Sequence, residues 1–337
     1  MVAVPAMRRR EFVTVLGGAT IWPCAACMEL TKIPIVGFLN TQSKNISIPY
    51  LTAFRKGVNA AGYVENRDVK IEDSWADGDD QRLKSLAADF VTRRVDVIAA
   101  TGGLRSIQAV QEATSTIPAL FISGSNPVQL GLVKSINRPG GNLTGVSLDT
   151  TEMVPKRFER LQEFLPPGSK IAMLISLESV PGSPRSALPE SEMRFAESYG
   201  AVVLRIRNPQ KFDEELENTL DMAVKNGVRG FVVGADPMFT TRLGSIVALA
   251  AKHQLAALYP LRPYVVAGGL ASYGPSLVDA YHQIGIYAGR ILQGAKPAEL
   301  PVMFPRKWEL VINRKTANAL GFEISLLLEV SADEIIK

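Results

Sequence analysis

A chain of 337 residues is too long for one average domain and comfortable for two, each large enough to bury its own core. At 47% hydrophobic and 21% charged, its composition is that of an ordinary globular protein and excludes a disordered chain, a coiled coil or a repeat array. Half of the net charge of +4 comes from a leader in which Arg8, Arg9 and Arg10 precede Glu11, and no later Lys/Arg cluster forms a face, so nucleic acid is not an expected partner.

Met7-Arg8-Arg9-Arg10-Glu11-Phe12 is followed by an apolar run, 13–22, and by small residues around Pro23-Cys24-Ala25-Ala26-Cys27. That order, a positive region, an apolar region and a small-residue cleavage site, predicts an export signal over residues 1–28. Consecutive arginines before Glu-Phe resemble the twin-arginine route. The apolar run is too short for a permanent membrane span, and no later run reaches about 18 apolar residues, so the mature chain is expected free in the periplasm. Both cysteines, Cys24 and Cys27, fall in the leader, which leaves no disulfide, thiolate nucleophile or thiolate metal site in the mature protein. Lipid attachment at Cys27 is the lesser alternative, because Cys24 stands where a lipoprotein signal carries leucine.

From Ile33 onward short apolar runs alternate with segments of helical period, the rhythm of a parallel sheet covered on both faces. A first strand over 33–39 ends at Asn40-Thr41, and Leu51, Phe54, Val58 and Ala61 mark a helix that Gly62 closes. A second strand over 69–75 leads to a helix with Leu83, Leu86, Ala87, Phe90 and Val91 on its stripe. The stretch 95–103 reads as a buried strand that runs through Thr101-Gly102-Gly103 into a helix over 104–113, a tight turn that exposes backbone N–H groups. After a fourth strand, 119–123, Asn126-Pro127 has the form of a helix start, since Asn is a favoured N-cap and Pro is favoured at the first helical position. A fifth strand over 143–148 ends this block.

A second block begins with the helical stripe Phe158, Leu161, Phe164 and Leu165. Strands are predicted over 171–176, 202–207, 230–234 and 255–259, with Phe195, Ala196 and Tyr199 on a helix closed by Gly200, and Asp236-Pro237 repeats the cap-plus-proline pattern. Two blocks of βα units predict two similar Rossmann-like α/β lobes with parallel sheets. The remainder, a short strand near 271–275, a helix carrying Tyr281, Ile284, Ala288 and Ile291, and the apolar stretch 300–313, is too little for a third domain. It predicts a chain that returns to the first lobe and crosses back. The expected lobes are 32–148 plus 264–296, and 149–263 plus 297–337.

Several segments in this order resemble the exported substrate-binding proteins of ABC transporters, in the family related to tryptophan- and tyrosine-binding proteins. They are Arg8-Arg9-Arg10-Glu11-Phe12-Val13-Thr14 with Leu16-Gly17-Gly18, Ala99-Ala100-Thr101-Gly102-Gly103, and Pro127-Val128-Gln129-Leu130-Gly131-Leu132-Val133. Asn137-Arg138-Pro139-Gly140-Gly141-Asn142, Thr144-Gly145-Val146, Ala271-Ser272-Tyr273-Gly274-Pro275-Ser276 and Glu309-Leu310-Val311-Ile312-Asn313 continue the series. The resemblance implies the type I periplasmic-binding architecture, two α/β lobes joined by three crossovers. It also implies a monomeric receptor that closes on a small amino-acid-like solute, aromatic or branched ones included, and delivers it to an ABC permease in the inner membrane. The chain departs from the family pattern at Asn126-Pro127, where Asp-Pro is usual, and at Leu177-Glu178-Ser179, where an Asn-Pro-Asn loop is usual.

In such a binder the ligand meets residues just beyond the strands. These are Asn40, Thr41, Thr101, Gly102, Ser123 and Asn126 in the first lobe, Asp149, Thr150, Ser176 and Asp236 in the second, and Tyr259 and Tyr273 near the crossover. Thr101-Gly102 and the stretch 123–126 are expected to hold a ligand carboxylate through hydroxyls and helix N-terminal N–H groups, Asp236 to pair with an ammonium, and a tyrosine to supply a wall. Asp236 also reads as a plain N-cap, and the tyrosines as packing residues. His253 and His282 lie on helical stripes without partners at metal-ligand spacing, and no G-x-S-x-G, Walker A or G-x-G-x-x-G sequence occurs, so neither metal, cofactor nor catalysis is expected. A ligand-sensing domain or an enzyme on the same scaffold is the competing reading.

Overall fold

The protein is described by a computed structural model covering residues 33–149, 153–176, 188–234 and 236–337. The expected export signal with Cys24 and Cys27, the candidate ligand residue Thr150, and Leu177-Glu178-Ser179 lie outside the described residues.

The first lobe runs β1 Ile35–Asn40, α1 Lys44–Ala60, β2 Lys70–Trp75, α2 Asp80–Thr92, β3 Val97–Thr101, α3 Leu104–Ala113, β4 Ala119–Ser123 and β5 Leu143–Ser147. The second continues with α4 Val154–Gln162, β6 Lys170–Ser176, α5 Leu188–Ser198, β7 Val202–Ile206, α6 Phe212–Lys225, β8 Val228–Val233, α7 Pro237–Thr241, α8 Leu243–Lys252, β9 Ala256–Tyr259, α9 Arg262–Val266 and β10 Ala271–Pro275. The last elements are α10 Leu277–Leu292, β11 Trp308–Asn313, α11 Arg314–Ala319, α12 Leu326–Ser331 and β12 Glu334–Ile336.

The first sheet has the order β2-β1-β3-β4-β5 with every pairing parallel. The second has the order β12-β11-β10-β9-β8-β6-β7, and its run β7-β6-β8-β9-β10 repeats the winding of the first. One pairing departs from the all-parallel expectation: β10 and β11 are antiparallel, Ala271 opposite Ile312 and Pro275 opposite Trp308. The strands alternate their apolar residues between two faces, so each sheet has a core on both sides. Phe38, Val97, Leu120 and Val146 face one side of the first sheet, and Leu39, Ile98 and Phe121 the other. Ala172, Leu174, Phe231 and Tyr259 face one side of the second, and Met173, Ile175, Val232 and Leu258 the other.

The chain does return to the first lobe, but not where the apolar pattern placed it. The expected first-lobe segment 264–296 opens with Tyr264, which sits in the second-lobe core, and continues into β10 of the second sheet. The return begins at α10, whose Tyr281, Ile284, Ala288 and Ile291 join the first-lobe core beside Phe54 and Val58 of α1. The first lobe then keeps the chain past residue 296: Ala298 accepts from the Gly140 N–H at 3.1 Å, and Met303 exchanges bonds with Gly145 and Ser147 at 2.8 Å. The crossings therefore lie between β5 and α4, at Ser276, and between Met303 and β11. A five-residue apolar strand carries no mark of which sheet will accept it, which is why the boundary was misread.

α1 and α10 cross with their backbones touching. A methyl group on Gly57 would lie 2.0 Å from the His282 carbonyl oxygen, and one on Gly285 would lie 2.2 Å from that of Phe54. Among the described residues no helix is long and apolar enough to cross a membrane.

Candidate functional site

In a wound α/β sheet the crevice for a ligand opens where neighbouring strands send their connections to opposite sides. The first sheet reverses between β1 and β3, which end in Asn40 and Thr101; the second reverses between β6 and β8, which end in Ser176 and just before Gly234 and Asp236. Sequence reading had named residues on both sides of each reversal.

On the first lobe the named hydroxyl and amide groups turn inward. Asn40 Nδ2 donates to Thr101 Oγ1 at 3.0 Å and to the Tyr281 hydroxyl at 3.4 Å, while its Oδ1 accepts from the Gln42 N–H at 2.8 Å. Thr101, fully buried, donates to the Leu39 carbonyl at 2.9 Å. Ser123 donates to the Ser125 carbonyl at 2.7 Å. Thr41 donates to the Gly102 carbonyl, and both stay partly exposed. Gly102 has φ +84°, and a Cβ there would lie 2.4 Å from Thr41 Oγ1 and 2.5 Å from Asn40 Oδ1, so only glycine fits. Gly103 follows at φ +117° with open space above it, and α3 starts at Leu104 without a side-chain cap. The N–H groups of that first turn, at the positive end of the helix, are the donors this lobe offers.

Asn126 caps as expected: Oδ1 accepts from Val128 N–H at 3.0 Å and Gln129 N–H at 3.3 Å. No helix follows, however. The chain makes one turn, Leu130 N–H to Asn126 O at 3.1 Å, and Gly131 at φ +69° ends it. A cap-plus-proline pair starts a turn, but propagation needs several residues that prefer helix, and Gly131 interrupts them. The second anion-binding helix start expected at Asn126 is therefore absent.

The second lobe is built differently. Asp236, half-buried, caps the five-residue α7 through Met238 N–H at 2.7 Å. Burial pushes its carboxyl up to about 6, with the Met238 bond opposing, and it makes no ion pair among the described residues. Arg157 occupies a position on the apolar stripe of α4, between Val154, Phe158 and Leu161, and is fully buried; its Nε donates to the Tyr273 carbonyl at 2.9 Å. The Tyr264 hydroxyl is buried within hydrogen-bonding reach of the Thr240 side chain, and Ser272 Oγ is buried with no hydrogen-bond partner among the described residues. Burial raises the Tyr264 phenol above its ordinary value; Thr240 and the guanidinium of Arg157 oppose this, and the carboxylate of Asp236 adds to it. Arg157 and Asp236 thus both act on one phenol.

Of the remaining named residues, Tyr259 is core: its ring stacks on Tyr264 at 4.9 Å and 15° and would clash with any side chain at Gly269. Tyr273 packs its ring beside Trp308 at 6.3 Å, with the Arg160 guanidinium 6.0 Å from its centroid. Ser176 is buried at the end of β6, and Asp149, half-buried, donates its N–H to Ser147 Oγ at 3.4 Å. His253 has neighbours its sequence spacing did not suggest, Glu217 at 3.5 Å and Asp221 at 3.4 Å, yet these approach different ring nitrogens and cannot share one metal ion with it. Among the described residues no cluster of three His, Cys, Asp or Glu side chains could hold a metal.

Sequence reading did not name Arg157, Tyr264 or Tyr281 among the candidates, though each lies against a named residue. Arg157 carried a signal, an arginine on an apolar stripe; Tyr281 carried none, since it looks like any core aromatic until α10 docks beneath Asn40.

A family model described as ABC transporter substrate binding protein matches residues 43–336. The chain is 24% identical over 304 residues to a tyrosine-binding protein of Clostridioides difficile, covering 87% of this chain and 84% of that one. Among solved structures, an ABC domain from Streptococcus pneumonia in complex with L-Trp superposes with TM-score 0.75 at 23% identity, covering 90% of this chain and 99% of that one. A conserved domain protein from Vibrio cholerae gives TM-score 0.75 at 23% identity over 90% and 100%. The two-lobed type I periplasmic-binding architecture is common to this chain and to these structures.

Proposed function

Since the chain belongs to the ABC transporter substrate-binding proteins, a family of extracytoplasmic, non-enzymatic receptors, we propose that it is a periplasmic receptor for a small amino-acid-like solute. The ligand enters between the lobes, the hinge closes, and the closed form delivers it to a permease in the inner membrane. The observation that carries the ligand class is Asp236: a half-buried carboxylate at the crevice end of the second sheet, kept in place by its Met238 bond and raised to about 6 by burial. A carboxylate held there at neutral pH is unfavourable until a cation joins it, and a ligand ammonium is such a cation. The tyrosine and L-Trp named for the relatives point to aromatic amino acids as the first candidates. Export by the signal over 1–28 agrees with this use.

Native mass spectrometry of the protein purified without denaturation tests the reading. An adduct with the mass of an amino acid, displaced by adding L-tryptophan or L-tyrosine, is the expected result. An adduct of a sugar or a nucleoside that neither displaces contradicts it.

A further inference from the structure

When two lobes close on a hinge, side chains near the crossings are the ones that a small rotation can bring together. Tyr50 is such a side chain. It lies on the second turn of α1, half-buried, with its ring stacked on Tyr281 at 4.9 Å and 15°. Tyr281 is itself fixed, because its hydroxyl bonds with Asn40, Thr101 and the Gly102 backbone at the ends of β1 and β3. The Tyr50 ring therefore moves with the first-lobe wall of the crevice. Its own hydroxyl has no hydrogen-bond partner among the described residues. Burial is the main influence on that phenol, and the two charges that act on it besides, Arg262 and Glu309, belong to the second lobe.

Both charged groups are held by their own lobe. Arg262 already gives Nε and one terminal nitrogen to Glu334, at 2.7 Å each. Glu309 stands opposite Gly274 on the β10–β11 pair, and its carboxylate accepts from the side chain of Ser276, the crossing residue that also caps α10 through the Asp279 N–H at 3.4 Å. One such bond leaves a carboxylate with further acceptor sites, and a phenol without a partner is a donor that fits them. We propose that Tyr50 and Glu309 form an interlobe latch, the phenol donating to the carboxylate in the closed form only. The latch presupposes the hinge-closing receptor described above and gives Tyr50 no contact with the ligand: Tyr50 is a positioning residue that sets how long the closed form lasts. A bond made only after closure slows release and leaves the encounter unchanged, whereas a general loosening of the first lobe would alter both rates.

Stopped-flow kinetics, with whichever of L-tyrosine, L-tryptophan and L-leucine the native protein binds most tightly, test the latch. Tyr50→Phe keeps the ring and its stack; it is expected to release the amino acid about tenfold faster with the association rate unchanged, the effect of losing one hydrogen bond to a charged group. Glu309→Met gives the same increase, and adding Tyr50→Phe to it raises release by less than about twofold more, as the two ends of one bond must. A Tyr50→Phe protein with native release, or a double variant in which the two effects multiply, overturns the latch and leaves the receptor reading intact. A native protein that binds none of the three amino acids overturns the receptor reading and the latch with it.

Discussion

In the proposed reading Asp236 has two roles, cap of α7 and partner of the ligand ammonium, and substitution separates them. Asn at this position still caps α7, whereas Ala removes cap and charge together. Asp236→Asn is therefore expected to weaken an amine-bearing ligand at least about 100-fold, close to 3 kcal/mol, with the fold intact in circular dichroism. Its effect on stability has the opposite sign. A folded-state pKa near 6 against an ordinary carboxylate value unfolded means that the native state holds the extra proton between about pH 4 and 6. The stabilisation from this group is complete below the unfolded pKa and is lost as pH rises through 6, so the ligand-free native protein carries an unfavourable charge at pH 7. Asp236→Asn should raise the melting temperature at pH 7, by roughly 2–4 °C per kcal/mol recovered, and change it little at pH 4. Because the ammonium needs the ionised carboxylate, affinity should fall about tenfold from pH 7 to pH 5; an affinity flat over that range would remove the carboxylate from the ligand contact. Asp236 was legible in the sequence as the cap of Asp-Pro after a strand, but its burial was not, since that depends on the tertiary packing around α7.

Among the elements, α1 and α10 show what a linear pattern can and cannot carry. The stripe of α10 was readable from Tyr281, Ile284, Ala288 and Ile291, and so was the return of the chain. Its docking against α1 was not, because Gly57 and Gly285 look like weak points in their helices until the backbones meet there. Gly285→Ala should destabilise the first lobe by about 2–4 kcal/mol in denaturant titration, since the new methyl meets the Phe54 carbonyl rather than a flexible side chain. Alanine at an ordinary helical glycine would do the reverse. β10 and the turn after Asn126 were misread for a related reason: strand pairing and helix length are decided by neighbours, here β9 and β11 for the strand and Gly131 for the turn.

At the scale of the molecule, three crossings place the crevice walls on two separately cored sheets, the arrangement a hinge requires. Ser276 N–H bonds to the Lys307 carbonyl at 3.0 Å and so ties two of the crossings together. Tyr50 of α1, stacked on Tyr281 at 4.9 Å, has its phenol raised mainly by burial, while Arg262 lowers and Glu309 raises it; both charges belong to the second lobe. The stack therefore runs from the interlobe boundary to the Asn40 and Thr101 cluster beneath the crevice. The fold class was legible from the βα rhythm alone, whereas the burial of Arg157 in the second lobe was not, because it depends on how α4 packs on that sheet. The central claim, that the crevice binds an amino acid, is tested most directly by calorimetric titration of the mature protein at pH 7 with L-tyrosine, L-tryptophan and L-leucine beside a sugar and a nucleoside. Saturable one-site binding of at least one amino acid, at least about 100-fold weaker in Asp236→Asn, is the predicted result; saturable binding of the sugar or nucleoside with none of the amino acids contradicts it.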